Sequence, residues 1–163
     1  MGNICKVVGG IIMNVFVLDR NMEKSAQMLD DAHLKAQINE ACQILMANYN
    51  RENYPDAKIG HVNHPVTKAY DEVASSNELF SYLYYLLFEY NIRFKKLHQN
   101  MFWWQGFKMF NHMTEHSVFW ESKTYVDGQM TDDIEAIRKY ISTKPMKKQP
   151  TWTNREKPDW WEV

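Results

Sequence analysis

Residues 30–44 read DDAHLKAQINEACQI, and Leu34, Ile38, Ala41 and Leu45 recur through this stretch every three or four positions. That spacing is one apolar face of an α-helix, so the segment must lie with this face against a core. A second stripe, Asp30, His33, Gln37 and Glu40, runs beside it. At about 100° per residue, His33 and Glu40 point almost the same way. Ile44 lies one turn beyond Glu40 on the same line, which sets the carboxylate at a polar–apolar boundary. Partial loss of water there raises a carboxyl pKa, as a general base requires. The competing reading is the solvated polar edge of an ordinary amphipathic helix.

Other elements follow from caps and periodicity. Asp19 or Asn21 can cap a short helix through Leu29, and the helix of residues 30–49 follows at once. A polar, proline-containing loop covers 50–65. Ser75-Ser76-Asn77-Glu78 reads as a capping box ahead of Leu79, Leu83, Leu86, Tyr90, Phe94 and Leu97, predicting a long central helix to about His98. The aromatic-rich stretch 101–120 fits no single pattern. Tyr125-Val126-Asp127-Gly128 marks a turn, and Thr131 or Asp132 caps a last helix, 133–142, stopped by Pro145. The remainder carries three prolines and three tryptophans and should pack as an extended arm. At the other end, Lys6 to Ile12 reads as a two-residue hairpin. Alternatively, residues 1–12 are an extension ahead of a start at Met13. The expected architecture is all-α: one compact helical domain over 13–163, with a short extended N-terminal segment and an irregular aromatic C-terminal arm.

A chain of 163 residues with 45% hydrophobic content suits one core. The net charge of −1 conceals a cationic tail, in which Lys144, Lys147, Lys148, Arg155 and Lys157 face only Glu156. Such a patch attracts phosphates or is simply solvated. Only Cys5 and Cys42 occur, and Cys42 falls within the predicted helix, which argues against a disulfide framework and for a reducing cytoplasm. No cleavable signal peptide is evident, and the longest apolar run, residues 82–88, is far too short for a bilayer of roughly 30 Å. No P-loop, G-x-S-x-G or Rossmann fingerprint is present, so nucleotide hydrolysis, serine-esterase chemistry and dinucleotide binding lose support.

Three weaker patterns remain. His112-Met113-Thr114-Glu115-His116 matches H-x-x-E-H, in which two histidines one turn apart grip zinc, against the plainer reading of surface or capping histidines. His61 and His64 stand in a loop where Pro65 directs the chain and Asn63 or His64 can supply turn hydrogen bonds. Trp152, among Lys147, Lys148 and Arg155, suits a surface that grips phosphates while stacking on a base, or else pins the tail to the body.

Taken in order, several of these residues resemble the small pyrimidine-dimer DNA glycosylases, the phage-type endonuclease V family. An extended Asn14-Val15-Phe16-Val17-Leu18 is followed by Asp31-Ala32-His33-Leu34, then Ala36 and Glu40, at the spacing of that family's D-x-H-L and its glutamate. Gly60-His61-Val62 precedes a long helix, and Gln149-Pro150-Thr151-Trp152 is similar to the family's R-P-T-W. The resemblance implies an all-α domain that binds damaged duplex DNA, flips a base out and attacks the sugar C1′ with an N-terminal α-amine. The imine is then resolved by β-elimination, with a glutamate as acid/base. An α-amine of pKa near 8 is partly neutral at working pH and needs no helper to act as a nucleophile. On this reading Glu40 takes the glutamate role and His33 a supporting one, while Met13 or, after trimming, Asn14 supplies the amine. Gln37, Asn39, His61 and His64 would line the substrate site, and Lys147, Lys148, Trp152 and Arg155 would contact DNA. No cofactor or metal is expected.

The pattern also departs from the family. Asn39 and Gln43 stand where it has arginines, which removes cationic charge from the substrate side. About five extra residues separate the first extended piece from His33, and the bulk of Asn14 disfavours removal of Met13. Two alternatives therefore stay open. One is a transferase acting on a modified DNA base with the same fold; the other is a non-catalytic module that binds nucleic acid or a protein through its Lys/Trp tail.

Overall fold

The computed structural model describes residues 13–54, 60 and 62–162. The hairpin and start readings for residues 1–12, and His61, lie outside them. The described residues form six helices and one small hairpin: α1 (Met22–Met28), α2 (Asp31–Asn53), α3 (Pro65–Ala69), α4 (Val73–Phe94), α5 (Met101–Phe107), β1 (Thr124–Val126), β2 (Gln129–Thr131) and α6 (Ile134–Thr143). The protein is thus mostly helical, and among the described residues no helix is long and apolar enough to cross a membrane.

The core forms where α4 packs against α1 and α2. Leu34, Ile38, Ala41 and Leu45 are all buried, as the α2 periodicity predicts, and Ile44 joins them. From α4, Leu79, Phe80, Tyr82, Leu83, Leu86 and Leu87 fill the other side. Each such side chain contributes roughly 1.5–3 kcal/mol by leaving water, which fixes how α2 is rotated and hence where its polar stripe points.

Several boundaries differ from the sequence reading, each for a physical reason. α4 begins at Val73, before the supposed capping box. Ser75 and Glu78 are inside the helix because tertiary partners use their side chains: Lys123 Nζ donates to Ser75 Oγ and the Trp120 N–H to Glu78 Oε1. Its end comes at Phe94, not His98, because Lys95 turns left-handed at φ 56°. α2 continues past Tyr49 to Asn53, since nothing between them breaks a helix. Asp133 caps α6 instead of belonging to it, accepting from the Glu135 and Ala136 N–H groups at 3.0 and 3.2 Å. Asp132 is occupied elsewhere, pairing with Arg20 at 2.5 Å. Asp127 and Gly128 both adopt positive φ, 49° and 85°, the backbone that a two-residue hairpin turn demands.

The N-terminal segment from Met13 is extended, as expected, yet among the described residues no strand pairs with it. Residues 13–18 are all buried, and their backbone groups are satisfied by side chains from five other elements. Gln37 accepts from the Phe16 N–H at 2.8 Å and donates to Asn14 O at 3.0 Å. Thr124 Oγ1 donates to Val15 O at 2.6 Å and accepts from the Val17 N–H. The Tyr82 hydroxyl donates to Phe16 O, Ser25 Oγ accepts from the Leu18 N–H, and Arg138 Nε donates to Leu18 O. Buried backbone groups must be paired somewhere, and here the pairing locks one extended segment into one register against α2.

The C-terminal arm is also pinned. The Asp31 N–H donates to Thr151 O at 2.8 Å, and Trp152 Nε1 donates to Met28 O at 3.0 Å. Trp161 is buried and meets Trp152 edge-to-face at 4.8 Å.

Candidate active site

The polar stripe of α2 and the buried segment 14–16 meet at Gln37. This side chain is 2% exposed and divides its three bonds between Phe16 N, Asn14 O and the Glu40 carboxylate, the last at 2.5 Å. Glu40 receives a second donor, the backbone N–H of Asn14. Desolvation dominates all the same. Burial pushes the Glu40 carboxyl up to about 8, against smaller opposing effects of the Lys144 charge and of the Gln37 and Asn14 hydrogen bonds. The group is therefore a neutral acid over much of the physiological range, able to give a proton and to take it back.

Asn14 is fixed as tightly as Gln37. Its Nδ2 donates to Tyr125 O at 2.8 Å, and its Oδ1 accepts from the N–H groups of Tyr125 and Val15, each at 2.9 Å. Met13 is buried, with its sulfur accepting from the Thr67 hydroxyl at 3.3 Å. His64 caps α3 by accepting from the Val66 N–H, and its ring stands 6.2 Å from that of Tyr125. It therefore sits toward the Asn14 end of the site.

At the other end, His33 Nδ1 is bonded to Asp30 Oδ1, and its ring meets Phe16 edge-on at 5.6 Å. Two helical turns, about 10 Å of rise, separate His33 from Glu40. What fills the interval is a group that the sequence reading left out of the site. The Lys144 ammonium lies 5.1 Å from the centre of the Phe16 ring, within electrostatic reach of both Glu40 and Asp30. Burial lowers its pKa, partly offset by those two acids. The local excess of cations in the tail was the available signal, but it did not single out Lys144.

Other expected contacts are placed elsewhere. Asn39 turns toward α5 and accepts from Asn100 Nδ2 at 2.9 Å. Arg155 grips Glu89 with two bonds, at 2.8 and 2.9 Å, and Trp152 is held on Met28. These two attach the tail to the body. Lys147 and Lys148 are exposed, on the stretch that runs from Lys144 to the Thr151 anchor on α2. His112 and His116 lie in irregular chain, not on a helix, so the one-turn spacing of the zinc motif is not formed.

Gln37 offers a direct check on how the site is built. Gln37→Leu strands the buried Phe16 N–H and Asn14 C=O, each at a cost of about 1–3 kcal/mol. Urea unfolding is expected to show a loss of roughly 2–5 kcal/mol, and an unchanged midpoint would mean that this amide does not hold the segment.

A mostly helical domain in which the first extended segment and a long helix together shelter a carboxylic acid defines the class of fold and site seen here. Within that class the chain belongs to the pyrimidine dimer DNA glycosylase family, whose profile matches residues 13–102, and it is a DNA repair glycosylase with DNA as its substrate. That match contains Asn14, Gln37 and Glu40, whereas Tyr125 and Lys144 come from beyond it. Searches of curated proteins and of solved structures find no match.

Proposed function

We propose that the protein excises a dimerised or otherwise damaged pyrimidine from duplex DNA, with the damaged nucleotide turned out of the helix beside α2 and Glu40 acting as acid and base on it. The observation that carries this reading is the neutral, doubly held Glu40 carboxyl at about 8. A departing pyrimidine needs a proton, and a group that is still protonated near neutral pH can give one. His33, braced by Asp30 and Phe16, acts as a positioning residue for the sugar or its neighbour, and His64 acts similarly near Asn14. Exposed Lys147 and Lys148 meet backbone phosphates, which fix orientation without reading sequence.

Asn14 enters this reading through its backbone nitrogen, which already touches Glu40. With Met13 ahead of it that nitrogen is an amide; it becomes a nucleophilic amine only in a chain that begins at Asn14. The family match begins at Met13 and runs to residue 102, which supports a functional domain that starts at Met13.

The test is a duplex oligonucleotide carrying one cyclobutane thymine dimer, beside its undamaged twin. Release of the glycosidic bond at the dimer alone is the expected result. No processing of the dimer, or equal processing of both duplexes, would overturn the reading.

A further inference from the structure

We propose that the Lys144 amine is the nucleophile that forms the imine with deoxyribose C1′ in this protein, with Glu40 managing the protons. This rests on the reading of Glu40 as the acid–base group.

The geometry that supports it begins with the backbone. Lys144 ends α6 in an extended conformation, its N–H donated to Tyr140 O at 3.0 Å, and Pro145 restricts the next step of the chain. The side chain therefore leaves a fixed root and lays its amine over the Phe16 ring at 5.1 Å. The facing charged groups are Glu40 on α2 and Asp30 at its N-cap. Asp30 is fully buried; one of its oxygens is taken by His33, and the other has no hydrogen-bond donor among the described residues. Neither acid is in ion-pair contact with Lys144, and no hydrogen bond engages its Nζ among the described residues.

A structural lysine behaves differently here. Lys123 donates to Ala69 O at 3.0 Å and to Ser75 Oγ. An amine held near acids but bonded to none keeps its lone pair available once it loses a proton. Burial favours that loss, just as it favours the protonated form of Glu40. Displacement at C1′ requires an amine free of its proton and an acid with one to give, and burial shifts each of these two groups in that direction. Unlike the Asn14 nitrogen, this amine needs no processing of the chain.

The steps balance. Nζ forms a bond to C1′ as the bond from C1′ to the pyrimidine nitrogen breaks, and the base leaves with that electron pair and the Glu40 proton. The Glu40 carboxylate then takes the proton from Nζ. The lone pair on Nζ closes the iminium as the C1′–O4′ bond breaks, and O4′ takes the proton that Glu40 has just received. The Glu40 carboxylate then removes a C2′ proton, the 3′ phosphate leaves with the C3′–O electron pair, and water hydrolyses the imine to regenerate Lys144.

Borohydride reduction of the full chain mixed with abasic-site duplex, followed by digestion and mass mapping, tests this. The adduct is expected on Lys144. Lys144→Arg, which keeps a cation over Phe16, is expected to reduce trapping at least 100-fold with an unchanged melting temperature, while acetylation of the α-amine leaves trapping intact. An adduct on the α-amine or another lysine, or undiminished trapping by Lys144→Arg, overturns the proposal. So does release of the dimer base by the unaltered protein with no adduct at all, an outcome that leaves the excision reading standing. Failure to process dimer DNA in the parallel assay overturns that reading, and this proposal with it.

Discussion

Glu40→Gln is expected to lower base excision by roughly 10²–10⁴-fold, the usual share of a positioned acid–base group, while leaving the fold intact. Glutamine has nearly the same shape and can still accept a hydrogen bond from Asn14 or Gln37, so the loss isolates proton transfer. The pH profile separates this from a packing effect. In the unaltered protein the acid form predominates below about 8 and is lost above it, so the excision rate should fall as pH rises through that value. The residual activity of Glu40→Gln should lack this limb. Stability carries the same signature. A carboxyl whose pKa is raised on folding contributes stability that is full below its unfolded pKa, and that contribution fades as pH rises through the folded one. Urea midpoints of the unaltered protein should therefore decline between pH 6 and 9 more steeply than those of Glu40→Gln. Lys144, with its pKa depressed, works with the opposite sign and chiefly nearer the ordinary lysine range. A Glu40→Gln variant that excises at the wild-type rate would remove Glu40 from the chemistry.

The sequence made α2 and the sheltering of Glu40 legible because both depend on local periodicity: Leu34, Ile38 and Ala41 set the helix rotation, and Ile44 sets the depth of the carboxylate. Partners far along the chain leave no such trace. Thr124 satisfies Val15, and Tyr125 holds Asn14 across 111 positions, yet neither looks unusual in its own neighbourhood. Lys144 is similar: composition marks a cationic tail, but only the path of α6 brings one of its amines beside Glu40. The same limit explains the misplaced start of α4. Ser75 and Glu78 have capping chemistry, but Lys123 and Trp120 take those side chains from outside the helix. In the tail, Arg155 and Trp152 have the composition of a nucleic-acid surface, and a buried acid and a backbone carbonyl claim them first. Buried groups left unpaired cost more than an exposed contact returns.

The largest loss of stability is expected from Arg93→Met. Arg93 is 1% exposed, although it is among the longest side chains of the core. Its Nε donates to Glu89 at 2.8 Å, one terminal nitrogen to Asp31 at 3.1 Å, and the other to Gln27 O at 2.9 Å. It therefore joins the end of α1, the start of α2, α4 and, through its partners, the arm. Asp31 also accepts from Thr151 and from the backbone and hydroxyl of Thr153, and Glu89 also receives Arg155. Burial pushes the Asp31 carboxyl up, but the Thr153, Thr151 and Arg93 hydrogen bonds together hold it below the usual carboxylate range. Methionine fills similar volume yet leaves Asp31 and Glu89 buried with one cation between them. Breaking such a cluster costs about 3–5 kcal/mol, which corresponds to a fall in melting temperature of roughly 6–20 °C for a chain of this size. Lysine should rescue little, because one ammonium cannot span acids on two helices and a carbonyl on a third. Since Asp31 has its pKa lowered on folding, its contribution is present above its unfolded pKa and is lost as pH falls. The penalty of Arg93→Met should accordingly shrink in acid, where Asp31 takes up a proton and no longer needs the guanidinium. A thermal unfolding series from pH 7 down to pH 3 would show this narrowing, and a gap that stayed constant, or was below about 1 kcal/mol throughout, would mean that the arm and α2 are held by packing alone.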